Sequence, residues 1–384
     1  MTVRPYDATY RAVPLTHKLA DIQWTLVVLI VLIACFGFAA LYSAAGGNMS
    51  PWAAPQMVRF GVGLFLLLAI ACVDLRVWMG IAYPAYAVAL LLLVAVEVAG
   101  RVGMGAQRWL ELGPLALQPS EPMKITLVLA LSRYLHGLGP DDVSRPLRLF
   151  VPLLMILAPA ALVLMQPNLG TATLLAVGGA MLLFLAGLSW RWIASTAVAV
   201  AIAIPSAWLF LLHDYQKLRV LTFLNPDSDA LGAGWNTAQA KIALGSGGLL
   251  GKGFLMGTQS GLNFLPEKQT DFIIAIIGEE FGFFGLMLLL GMFAAVIWNG
   301  VQISLAARSH FGRLLAMGVT LNFFLYIMIN GLMVMGLIPV VGIPMPLVSY
   351  GGTAMMTVMI GFGLLMGVHV HRQVTVPSHS SGMI

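Results

Sequence analysis

The sequence predicts an all-α polytopic membrane protein with about ten transmembrane helices and a long external loop between helices 7 and 8. Three observations predict it. The chain of 384 residues is 60% hydrophobic and 9% charged, with a mean hydropathy of +0.93, and a soluble domain could not cover that much apolar surface. Its apolar residues gather in runs of spanning length. Its Lys and Arg residues fall unevenly on alternate connections.

The runs, in order, are 22–43, 58–73, 77–99, 121–136, 149–165, 171–187, 192–212, 272–303, 313–336 and 346–368. Helices are the solution for each, because a hydrocarbon core offers no partner to backbone N–H and C=O groups. The run 58–73 is short against the roughly 20 residues a span needs. With the N-terminus cytoplasmic, the short cytoplasmic segments carry eleven Lys and Arg, and the short external ones carry four: Arg59, Arg101, Arg108 and Lys124. The positive-inside rule then puts both termini in the cytoplasm and loop 213–271 outside.

The chain divides into an N-terminal cytoplasmic segment 1–20 and a membrane domain 21–372, followed by a cytoplasmic tail 373–384. Head and tail read as flexible. The first span lacks a small-residue cleavage site and reads as an uncleaved anchor. Cys35 and Cys72 fall inside spans, as buried thiols with neither disulfide nor metal-ligand spacing. The net charge of +5 follows from topology, with no basic patch for nucleic acid.

Three external segments are polar and rich in Gly and Pro. The first, Gly100–Lys124, holds Gly105-Ala106-Gln107-Arg108-Trp109 and Gln118-Pro119-Ser120-Glu121 with Lys124. Ser120 suits a helix N-cap, and Glu121 and Lys124 share a helix face, which fits a local ion pair. Trp109 fits an interfacial anchor or, beside Arg108, a platform for a sugar ring and a phosphate. The second segment is loop 213–271, long enough to imply a function. It contains His213-Asp214-Tyr215-Gln216, a stretch Trp235–Leu244 suited to an interfacial helix, and a Gly-rich run from Gly245 to Gly257. Gly253 follows Lys252, so the Walker spacing is not met. A turned lid whose backbone amides approach an anionic headgroup is the expectation. The third, Leu337–Thr353, with Pro339, Pro344, Pro346 and Ser349-Tyr350-Gly351-Gly352, reads as a broken segment lining a cavity or as a kinked helix.

Asp271 stands where the long loop meets the eighth span, in a chain with only 15 Asp and Glu residues. A carboxylate there is either a solvated helix cap or the working group of a site facing lipid headgroups. On a helical projection, Glu279 lies about 80° from Asp271 and Glu280 nearly opposite. Intramembrane acids mark function by default, with structural pairing to neighbouring helices as the alternative.

These residues resemble the SEDS family of bacterial cell-wall synthases over residues 20–372. The likeness rests on the two motifs of the first segment, on Leu265-Pro266-Glu267 with Thr270-Asp271-Phe272, on Gly278-Glu279-Glu280, and on Pro346-Leu347-Val348-Ser349-Tyr350-Gly351-Gly352. His213-Asp214-Tyr215-Gln216 and Gly257-Thr258-Gln259 look more like the elongation branch than the division branch. One departure is that the family's usual Gln-Pro-Asp-Leu-Gly is here Gln166-Pro167-Asn168-Leu169-Gly170; a capping role survives, since Asn caps as well as Asp.

The resemblance implies a peptidoglycan glycosyltransferase that joins lipid II into glycan strands at the outer face of the bacterial cytoplasmic (inner) membrane during elongation. Its implied partners are a class B penicillin-binding protein, the transpeptidase, and other elongation-complex membrane proteins. An α-linked donor and β-linked product imply one inverting displacement, for which one base suffices. Asp271 is then the candidate catalytic base. Arg108, Lys124 and Lys268 are candidates to stabilise the departing pyrophosphate, and Trp109, Glu121 and Glu279 to shape the substrate site. A divalent cation, Mg or Mn, is compatible with that leaving group, although the sequence shows no cage for one. Two rivals share these features: a lipid II flippase using the acids as proton relays, and a non-catalytic scaffold for the transpeptidase. The large external loop weighs towards chemistry on the outer face.

Overall fold

The computed structural model describes residues 14–375, except 104–105, 113–114, 211–216, 218–220, 222, 224–232, 262–264 and 266. The motif His213-Asp214-Tyr215-Gln216, the pair Pro226-Asp227, Pro266 and the tail beyond residue 375 lie outside the described residues. The elements are α1 (Leu15–Ala20), α2 (Trp24–Ala44), α3 (Ala53–Ala71), α4 (Leu75–Ala99), β1 (Arg101–Gly103), β2 (Ala106–Leu112) and β3 (Leu115–Leu117). There follow α5 (Ser120–His136), α6 (Pro140–Val143), α7 (Pro146–Met165), α8 (Leu169–Leu185), α9 (Trp190–Phe210) and α10 (Ala233–Ser246). The last are α11 (Thr258–Gly261), α12 (Ile273–Ala306), α13 (His310–Val334) and α14 (Gly352–Val370).

Among the described residues, seven helices (α2, α3, α4, α7, α12, α13 and α14) are long and apolar enough to cross a membrane, and α8 is a shorter apolar helix. The other two predicted runs, 121–136 and 192–212, correspond to α5 and α9. The run that looked short gains a turn at its start, because α3 begins at Ala53 and reaches 19 residues. The starts are chemically marked. Asp74 caps α4 by accepting from the Arg76 amide at 2.8 Å, and Ser309 caps α13 by accepting from Gly312 N at 2.9 Å. Asn168 caps α8 by accepting from Thr171 N at 3.2 Å, so the departure from Asp keeps the cap.

Four expectations change. The segment before α5 is a small antiparallel sheet in the order β1-β2-β3, which a reading for helices and loops passed over. Ser120 is the first residue of α5 rather than its cap. Cys35 is exposed on α2 and Cys72 half-buried, so the thiols are not both core residues. In the head, α1 is ordered, and Lys18 Nζ donates to Cys72 O at 2.8 Å.

Between α13 and α14 the chain runs without helix from Gly336 to Gly351. Small residues admit it to the bundle. A Cβ on Gly37 of α2 would lie 2.6 Å from Val348 Cα, and one on Gly170 of α8 would lie 2.6 Å from Val341 O. Close backbone approach of this kind needs a missing side chain. Around the head of α12 a satellite core gathers Ala240 and Ala243 of α10, Leu265, Phe272, Ala275, Met333 and Val334. It fixes α10, the loop end and the 336–351 segment against one another.

Candidate active site

Asp271 lies in a tight turn before α12, not on the helix. The N-cap is Phe272, with no side-chain cap. The turn is organised by Glu267, whose φ of +54° is left-handed and whose carbonyl accepts from Thr270 N at 3.1 Å and Asp271 N at 3.2 Å. Such strain in a non-Gly residue persists only where surroundings over-determine it. Those surroundings are visible. Tyr350 N donates to Gln269 O at 2.8 Å, Ser349 Oγ donates to Thr270 O, and Asn330 Nδ2 donates to Asp271 O at 2.9 Å and to Ile343 O at 2.7 Å. The main chain of Asp271 is pinned from two sides.

Its side chain is not. Among the described residues the carboxylate accepts no hydrogen bond, and Oδ2 faces Gly342, where a Cβ would lie 3.4 Å away. Burial, and then the Glu267 carboxylate, push its pKa up to about 6, while the Arg108 guanidinium pulls the other way. The cap interpretation therefore fails on geometry. So does the helical projection relating Asp271 to Glu279, because residue 271 is not helical. What remains is a half-buried acid, charged at neutral pH, with its oxygens uncommitted.

Arg108 on β2 reaches the α7–α8 corner, where Nε donates to Gln166 O at 3.1 Å and a terminal nitrogen donates to Pro167 O. Gln166 in turn donates to Leu93 O at 3.0 Å. The guanidinium is thus fixed within electrostatic reach of Asp271. Trp109 follows it on the same strand, so the two side chains leave opposite faces of the sheet. One shared platform for sugar and phosphate is corrected to two separate positions. Lys268 is buried in the turn, which makes its charged form less favourable than usual.

Glu121 and Lys124 sit inside the bundle, 4% and 2% exposed. Lys124 Nζ donates to Glu121 Oε1 at 2.6 Å and lies 4.3 Å from the Tyr326 ring, while Tyr326 OH donates to Glu121 Oε2 at 2.8 Å. Asn322 Nδ2 donates to Lys124 O at 3.3 Å. Each of these groups is committed to another, so Lys124 is not a cation open to a pyrophosphate. Glu279 is corrected likewise. Its carboxylate is fully buried, with Oε1 accepting from Lys252 Nζ at 2.6 Å, Thr258 N at 2.8 Å and Thr258 Oγ1 at 2.9 Å. The Gly-rich run thus supplies Lys252, and the residues just after it, Thr258 and Gln259, supply their amides, to the protein's own acid rather than to an external headgroup.

Asn330 and Tyr326 were missed. The signal was present: Asn322, Tyr326 and Asn330 recur every fourth residue of α13, which puts three polar groups on one face of an apolar helix. Such a stripe in a span points inward. No three His, Cys, Asp or Glu side chains among the described residues converge to hold a metal.

This chain belongs to the family described as Cell cycle protein (FtsW/RodA/SpoVE), the SEDS family, which it matches over residues 18–374. It is similar to the peptidoglycan glycosyltransferase MrdB of Escherichia coli, 44% identical over 349 residues that cover 90% of this chain and 93% of that one. It is also similar to a chain of a peptidoglycan synthase complex in which polymerization and crosslinking are coordinated, with a TM-score of 0.80, 33% identity, and coverage of 91% and 98%. The rod shape determining protein RodA of Thermus thermophilus matches with a TM-score of 0.69, 30% identity, and coverage of 91% and 97%. Family and fold together make this an integral membrane protein.

Proposed function

We propose that this chain, a peptidoglycan glycosyltransferase, polymerises lipid II at the outer face of the bacterial cytoplasmic membrane with Asp271 as general base. The observation that carries the proposal is the uncommitted Asp271 carboxylate, held on a pinned main chain within the field of Arg108. In the reaction, Asp271 takes the proton from the acceptor 4-hydroxyl as that oxygen attacks the donor anomeric carbon. The C–O bond to the lipid pyrophosphate breaks with inversion, and the pyrophosphate leaves with the bonding pair. Arg108 and Lys268 supply positive charge where negative charge develops. A phosphate anion beside Lys268 would restore the charged form that burial disfavours. Trp109 supplies an apolar face for a sugar from the other side of the sheet. A divalent cation, Mg or Mn, enters only as a companion of the pyrophosphate.

Both termini are cytoplasmic in this proposal, and α10 with the Asp271 turn faces outward. The partner is a class B penicillin-binding protein that crosslinks the strands as they emerge, and the setting is elongation and rod-shape maintenance. The test is polymerisation of labelled lipid II by purified protein in lipid, with and without that partner. Glycan chains are expected from the isolated protein, with a higher rate when the partner is added. Absence of chains under both conditions would sink the proposal, while movement of intact lipid II across the bilayer would favour the flippase.

The pH profile gives a second check. With the base pKa near 6, kcat/KM should be flat above about pH 7 and should fall about tenfold per unit well below pH 6. A profile without that acid limb would remove Asp271 from the rate-limiting proton transfer.

A further inference from the structure

Helix α12 is broken at Gly282, whose φ and ψ are 64° and −160°. A break inside a span strands backbone groups that lipid cannot satisfy. Here the Gly-rich loop satisfies them. Phe283 N donates to Gly248 O at 2.9 Å and Phe284 N to Leu249 O at 3.2 Å, while Lys252 N donates to Glu279 O at 2.9 Å and Gly253 N to Glu280 O at 3.1 Å. The fit requires glycine on both sides. A Cβ on Gly282 would lie 2.3 Å from Gly251 N, and one on Gly251 would lie 2.1 Å from Glu280 O.

Side chains lock the exchange. The Glu279 carboxylate holds Lys252, Thr258 and the Gln259 amide at 3.2 Å, and Ser43 of α2 donates to Glu280. The half-helix before the break, Ile273–Phe281, carries the Asp271 turn at its head. It also rests on α10, where a Cβ on Gly278 would lie 2.5 Å from Leu244. Loop, half-helix and turn are therefore one mechanical unit, joined to the rest of α12 through Gly282 and through the loop's bonds to the Phe283 and Phe284 amides.

We infer that Glu279 is a positioning residue for the transfer reaction: by clasping Lys252, Thr258 and Gln259 it holds the Gly-rich loop in the break at Gly282, and so sets where Asp271 points. The inference rests on the role proposed for Asp271. Glu279 itself touches no substrate. Its effect is mechanical, through the half-helix, and a displacement of about 1 Å at a catalytic group is enough to cost about 10²-fold.

The test compares wild type with Glu279→Gln, Lys252→Met, Lys252→Arg and Asp271→Asn, each purified in lipid, with lipid II titrated and amide exchange followed. Glu279→Gln should lower kcat by about tenfold or more at unchanged KM and melting temperature. Lys252→Met should lower kcat likewise but also melt earlier, because it leaves the buried Glu279 carboxylate without its cation. The amides of Lys252, Thr258 and Gln259 should exchange at least about tenfold faster, while those of α13 and α14 do not change. Lys252→Arg keeps the charge opposite Glu279 and should lose less of the rate than Lys252→Met. A raised KM at constant kcat would make Glu279 a substrate contact and overturn the inference. A wild-type kcat in Glu279→Gln, or a rate loss only in parallel with global unfolding, would overturn it too. If Asp271→Asn polymerises normally, the reading of Asp271 fails first, and that result is separate from any outcome at Glu279.

Discussion

Asp271→Asn should lower the rate of glycan polymerisation by about 10²–10⁴-fold and leave the protein at least as stable as wild type. The two halves of this expectation come from the same fact. The Asp271 carboxylate is held where burial and Glu267 raise its pKa from 3.8 to about 6. The folded state then binds that proton more tightly than the unfolded state does. Stability from this group is greatest below the unfolded value and falls as pH rises through the window from 3.8 to 6. At pH 7.5 the carboxylate is charged at a cost to the fold, and the neutral amide of Asn removes that cost. A helix cap would instead keep both its activity and its stability, since Asn caps as well as Asp. Thermal melts and polymerisation rates on the same preparations decide between them. A variant that polymerises at near the wild-type rate would make Asp271 a structural residue.

The sequence made the membrane class and the two ends of the site legible for physical reasons. Runs of apolar residues have no other stable arrangement in lipid, so helix positions followed closely, with starts moved by caps such as Asp74 and Ser309. Asp271 and Arg108 stood out because charge is scarce in this chain. What stayed hidden was anything set by long-range contact. Nothing local says that the Glu279 carboxylate is filled by Lys252 and Thr258, or that Lys124 ends against Tyr326 rather than at the outer surface. The break at Gly282 is invisible for the same reason, since one glycine in a long apolar run has many uses. The sheet at 101–117 was lost because its strands are short: β1 and β3 have three residues each, too few to display alternation. Asn330 was the avoidable miss, because its spacing from Tyr326 and Asn322 was in plain view.

Glu121→Leu should destabilise the protein by about 3–5 kcal/mol, because it leaves Lys124 charged inside the bundle without its partner. Lys124 has 2% exposure, and its ion pair is 2.6 Å long. The Tyr326 hydroxyl loses its acceptor in the same step. Replacing only one member of such a set is the costly change, whereas replacing all of it by apolar groups of similar volume is often near neutral. The triple variant Glu121→Leu, Lys124→Met, Tyr326→Phe should therefore recover most of the loss and melt within about 1–2 kcal/mol of wild type. Thermal denaturation in matched lipid or detergent measures both. A triple variant as unstable as the single one would mean that the pair stabilises the bundle outright. The stable triple variant also settles what the pair is for, because its activity is read without a folding defect. If it polymerises lipid II, Glu121 and Lys124 belong to the scaffold. If it is folded and inactive, their charges act on substrate after all, and the pair must open when lipid II binds.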